Sequence, residues 1–134
     1  MNKFKLLLVM PALLFCTVAD AAITTTVLAN DARECVTYAR SRVPKLPYGL
    51  TTLAQKKAII NSYSCSAGSV AIIDGVAYYG HVAVVEGCFT SQTSGAIRIT
   101  ETNWQKGKRT ERRASNTSIT KAAQELKILG YFKP

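Results

Sequence analysis

Apolar residues at Ala32, Val36, Ala39 and Val43 recur at helical spacing, and Pro44 halts the run. Asp31, with Glu34 three residues on, forms a capping-box signature, so a helix is expected from Asp31, with Cys35 at its fourth position. Thr52 and Gln55 repeat the signature and predict a second helix reaching about Tyr63, where Ser-Cys-Ser-Ala-Gly breaks it. From Ser69 the period shortens to two. Ser69 to Ile73 and Val76 to Tyr79 flank Asp74-Gly75, a hairpin signal, and His81 to Glu86 reads as a further apolar strand. Ala96 to Asn103 alternates, and Thr110 to Ala114 predicts a shorter strand. Thr117 to Lys127 has helical character, and Leu129 to Phe132 closes the chain with apolar residues. Helices followed by a mostly antiparallel sheet imply an α+β class.

The first residues, Met-Asn-Lys-Phe-Lys, lead into an apolar run from Leu6 to Val18 that closes with Ala19-Asp20-Ala21. This is the layout of a secretory signal peptide, residues 1–21, and the run is shorter than a membrane span requires. Cys16 would leave with it. The remainder, 22–134, has the size of one domain with a modest core and is expected to carry no integral membrane segment after cleavage. Losing Lys3, Lys5 and Asp20 changes the formal charge from +9 to +8. Such a surface favours anionic polymers. An exported chain meets envelope material rather than nucleic acid, so the expected location is periplasmic or secreted. The densest basic run, Lys106 to Arg113, reads as a solvated loop or edge strand.

Three cysteines remain beyond the leader: Cys35, Cys65 and Cys88. If Cys35 stays a thiolate, the only bridge left is Cys65–Cys88; the alternative is three reduced, buried thiols. A zinc site would want a close Cys-x-x-Cys pair, which is absent, and no metal or other cofactor is expected.

Candidate chemistry centres on Cys35 near a helix amino end and on His81, the sole histidine, after Gly80 at the head of a strand. A thiol attacks carbonyls as thiolate, and a helix start together with an imidazole lowers its pKa. A histidine base needs an acceptor on its far nitrogen. Glu101 is the candidate, with Asn103 as second orienter or oxyanion donor, since residues two apart in a strand share a face. Glu86 and Asp74 compete for the orienting role, and Glu101 has Arg98 and Arg112 as alternative surface partners. Trp104 and Tyr79 are candidates for a sugar-binding groove, with core packing as the alternative.

These segments resemble the CHAP domain, the cysteine, histidine-dependent amidohydrolase/peptidase family of papain-like and NlpC-type enzymes. The resemblance rests on Glu34-Cys35-Val-Thr-Tyr38-Ala, on Val70-Ala-Ile-Ile followed by Gly80-His81-Val-Ala-Val-Val-Glu, and on Thr100-Glu101-Thr-Asn103-Trp104 with a closing Leu129-Gly-Tyr-Phe. It departs at Gly68-Ser69, where the family often has Gly-Asp, and in the helical stretch from Thr117. The resemblance implies a papain-like α+β fold, with amino-terminal helices packed on a mostly antiparallel β-sheet. It implies a single CHAP-like catalytic domain over 22–134 that hydrolyses an amide of peptidoglycan as an amidase or endopeptidase. Cys35 would be nucleophile, His81 base, and Glu101 and Asn103 supports, with Tyr38 in the nucleophile motif as a further substrate contact. A catalytically silent envelope-binding or inhibitory module, or an antibacterial toxin with the same chemistry, are the rival readings. A protein inhibitor is a further candidate partner.

Overall fold

The computed structural model describes residues 22–75 and 77–134; the expected leader, 1–21, lies outside the described residues. In chain order the elements are β1 (Ala22–Asn30), α1 (Cys35–Arg42), α2 (Leu53–Ala58), β2 (Val70–Ile73), β3 (His81–Thr90), β4 (Gly95–Thr102), β5 (Lys108–Asn116), α3 (Ile119–Glu125) and β6 (Ile128–Phe132). The strands form one six-stranded sheet in the order β1-β5-β4-β3-β2-β6. Every neighbouring pair is antiparallel.

This overturns the papain-like α+β expectation. The described chain opens with a strand, and 41% of it is strand against 19% helix. β1 was missed because Ile23-Thr-Thr-Thr-Val27-Leu28 does not alternate, and the strand is exposed along nearly its whole length. β5 pairs on both sides, with β1 and β4, so the basic run enters the sheet interior instead of forming an edge. The Asp74-Gly75 hairpin does not form either. Ala77 to Tyr79 is a turn, and β2 pairs directly with β3, with Ile73 opposite His81. Gly80 has φ +60, and a Cβ there would meet Leu53 Cδ1 at 2.7 Å, so only glycine lets the chain run close over α2 before His81.

Alternation in the central strands produces two cores. Val70, Ile72, Val82 and Val84 face α1 and pack with Tyr38, Ala39, Val43, Leu46 and Leu50. Ala71, Ile73, Ala83, Val85, Ile97, Ile99 and Ala114 face α3 and pack with Ala122, Leu126 and Tyr131. Fully burying each such aliphatic side chain is worth roughly 1.5–3 kcal/mol, which outweighs the small intrinsic propensity of helices this short. Ser118 caps α3 by accepting from Lys121 N–H, and Thr52 with Gln55 forms the expected capping box on α2. Cys65 and Cys88 are disulfide-bonded, Cα to Cα 6.0 Å, against the α3-side core. Among the described residues, no helix is long and apolar enough to cross a membrane.

Candidate functional site

α1 begins later than expected. Its N-cap is Glu34, with no side-chain cap, and Cys35 is the first helical residue. Asp31 does not cap because its carboxylate is taken by Arg33 at 2.7 Å and lies 3.7 Å from Arg109. The consequence is favourable for a thiolate, since Cys35 sits in the first turn, where backbone N–H groups lack intrahelical partners and the helix end carries partial positive charge.

The sheet supplies the rest. Glu101 follows Ile99 on the α3-facing side of β4, and Arg112 precedes Ala114 on the same side of β5. Because Ile99 pairs with Arg112 and Glu101 with Thr110, the two charged residues are diagonal neighbours. Arg112 Nη2 donates to Glu101 Oε1 at 2.7 Å, and Arg112 Nε to Oε2 at 3.0 Å. His81 Nε2 lies 3.0 Å from Glu101 Oε1. All three side chains are almost completely buried. Trp104 covers them: the Arg112 guanidinium stacks 3.6 Å from its ring, and the imidazole centroid is 5.3 Å away.

With Nε2 committed to Glu101, Nδ1 is the nitrogen left for the Cys35 thiol. Burial pushes that thiol up, but the hydrogen bond and charge of His81, the Val82 N–H and the Lys56 ammonium bring it below its ordinary value. Burial pushes His81 down, and Cys35 and Glu101 together raise it above the usual imidazole range. Glu101 is pushed up by burial and held below the usual carboxylate range by His81 and Arg112. A paired thiolate and imidazolium is the arrangement these opposite shifts favour.

Cys35 and His81 open into a cleft of about 530 Å³ that is also lined by Glu34, Tyr48, Lys56, Tyr79 and Asn103. Of the residues expected from sequence, Cys35, His81, Tyr79 and Asn103 line this cleft, and Glu101 lies buried behind His81. Asn103 does not orient the histidine. β4 ends at Thr102, Asn103 adopts φ +62 in the following turn, and its Nδ2 reaches Glu34 Oε2 at 3.3 Å on the cleft wall. Trp104 backs the ionic cluster instead of lining the cleft. Tyr38 is buried away from it, donating its hydroxyl to Thr100 Oγ1 at 3.0 Å and accepting from Arg42 at 2.9 Å. Glu86 does not compete for His81, since it accepts from Thr100 Oγ1 at 2.6 Å and pairs with Arg42 at 2.8 Å.

Two residues escaped the sequence reading. In the sequence Arg112 reads only as a surface partner of Glu101, because its burial depends on β5 being an inner strand. Lys56 gave no signal at all, since the carbonyls that receive it, Thr51 at 2.9 Å and Tyr79 at 2.6 Å, converge only in the folded chain. Among the described residues, no group of three or more His, Cys, Asp or Glu is placed to hold a metal ion. No family model, no curated protein and no solved structure matches this chain.

Proposed function

We propose that this chain is an exported cysteine hydrolase that cleaves an amide bond of peptidoglycan, as its resemblance to the CHAP domain implies. The observation that carries this reading is the 3.0 Å contact between His81 Nε2 and a fully buried Glu101, with the other face of the imidazole on a thiol that opens into a cleft. A merely structural histidine has no need of a cysteine at a helix start, nor of a carboxylate pinned by a second cation.

In the proposed reaction, the Cys35 thiolate attacks the amide carbonyl, forming a C–S bond. Unpartnered N–H groups at the start of α1 receive the negative charge on the carbonyl oxygen. Protonated His81 gives its proton to the leaving nitrogen as the C–N bond breaks, leaving a thioester on Cys35. Neutral His81 then takes a proton from water, whose oxygen attacks the thioester and releases the carboxylic acid product and the thiolate. Glu101 is a positioning residue: it fixes the tautomer and offsets the imidazolium charge.

The Cys65–Cys88 bridge, of a kind that persists in oxidising compartments, supports export, and the +8 formal charge left after leader removal suits an anionic cell wall. A silent envelope-binding module would share that charge but would leave the shifted Cys35–His81 pair without a role. The deciding experiment is mass spectrometry of fragments released from purified sacculi. Wild type should release new chain ends, and Cys35→Ala should reduce release roughly a thousandfold or more. Equal release by the two would refute the proposal. Intact sacculus binding, with no labelling of Cys35 by iodoacetamide at neutral pH, would favour the binding module.

A further inference from the structure

Lys56 is the least expected charge in the cleft. Its side chain is 3% exposed, yet Nζ has only the carbonyls of Thr51 and Tyr79 as hydrogen-bond partners. An ammonium carries three donors, so one is unused. Among the described residues, the ion pairs do not include Lys56. Burying a cation with no carboxylate in contact is costly, and two carbonyls offset only part of that cost. The acid on the cleft wall, Glu34, is engaged by Asn103 at 3.3 Å. Burial lowers the Lys56 ammonium's pKa, and the charges of Cys35 and Glu34 draw it back up, which puts the sulfur within electrostatic reach of the ammonium.

We infer that the unused donor of Lys56 is a carboxylate subsite beside the nucleophile, so that the cleft selects an amide whose neighbouring residue bears a free carboxylate. The substrate part rests on the hydrolase reading, whereas the subsite itself does not. A carboxylate there would complete the ammonium's hydrogen bonding and supply the contacting counter-charge it lacks, as a charge-assisted hydrogen bond.

The test uses two alkylating reagents that differ only in that group. Both iodoacetate and iodoacetamide react as the Cys35 sulfur forms a bond to carbon and expels iodide. Their rate ratio therefore cancels the thiolate fraction and any effect of Lys56 on it. In the wild-type protein the iodoacetate-to-iodoacetamide ratio should exceed that of a free thiol, and in Lys56→Met it should fall roughly tenfold, the size of one charge-assisted hydrogen bond. Lys57→Met, an exposed change of the same charge on the same helix, should leave the ratio unaltered. Equal ratios in wild type, Lys56→Met and Lys57→Met overturn the subsite.

Since Lys56 also ties α2 to the turn at Tyr79, its variant could unfold, and a measurement on the wild type stands beside it. Acetate should slow iodoacetamide labelling saturably, and chloride at equal ionic strength should not. Matching effects of the two ions would overturn the subsite as well. Should the ratio behave as expected while sacculi stay intact, the hydrolase proposal fails and the carboxylate site stands. If sacculi are cleaved, replacing the substrate's free carboxylate by carboxamide should raise KM in wild type and leave it unchanged in Lys56→Met.

Discussion

Two glutamates on neighbouring strands each hold an arginine, and they differ in what surrounds them. Glu86 on β3 ends a chain of hydrogen bonds that runs from Arg42 through Tyr38 and Thr100 on the α1 side. Glu101 on β4 joins Arg112 and His81 on the α3-facing side. The side chains of Arg42 and Glu86 are 44% and 22% exposed, those of Arg112 and Glu101 4% and 0%. Water screens the first pair, which leaves it a modest tie between α1 and the sheet. The second pair has little water to share its charge with. Whatever disturbs Glu101 is therefore felt by Arg112 and His81, and through His81 by Cys35. The same pairing of residue types is a surface brace in one place and a means of fixing a base in the other.

Breaking the buried pair should have the largest effect. Glu101→Gln leaves the Arg112 guanidinium buried without a counter-charge and should cost roughly 3–5 kcal/mol, read as a lower urea midpoint at unchanged slope. Glu86→Gln should cost roughly 0–1 kcal/mol in the same measurement. Comparable losses in the two variants would erase the distinction between the sites. Activity should separate them too: release of fragments from sacculi should fall roughly a hundredfold or more in Glu101→Gln, within the range of a general-base contribution, and little in Glu86→Gln.

The acid limb of stability sharpens the contrast further. Glu101 titrates below its ordinary 4.5 in the folded chain, so its stabilisation is complete above that pH and is lost as pH falls through the depressed value. Glu86 is shifted the same way, with burial opposed by Arg42 and Thr100, but in a wetter setting. Glu101→Gln should therefore flatten the decline of stability below pH 4.5, and Glu86→Gln should flatten it less. A steeper decline in Glu101→Gln would contradict the assigned direction.

Much of this was legible in the sequence wherever local chemistry decided the outcome. Thr52 with Gln55 capped α2 as read, and the apolar runs Val70–Ile73 and His81–Val85 were strands. The pairing of Cys35 at the start of α1 with His81, and of His81 with Glu101 across strands, was also legible. What failed depended on partners distant in sequence. Asp31 was read as a cap, but Arg33 and Arg109 claim its carboxylate. Asp74-Gly75 suggested a tight hairpin, but Gly80 against Leu53 sets the turn later and brings His81 opposite Ile73. β1 lacks alternation because it is exposed along nearly its whole length, and without it an antiparallel sheet with short helices resembles a papain-like layout. Without β1, β5 looked like an edge, and Arg112 looked like a surface charge.

The most direct measurement is the rate of iodoacetamide alkylation at Cys35 as a function of pH, in wild type and in His81→Ala. The Cys35–His81–Glu101 arrangement predicts a wild-type midpoint below the ordinary thiol value of 9.0, moving up in His81→Ala, where only the Val82 N–H and the Lys56 ammonium are left to oppose burial. A wild-type midpoint at or above 9.0 would show that the imidazole does not activate the thiol and would contradict the proposed nucleophile.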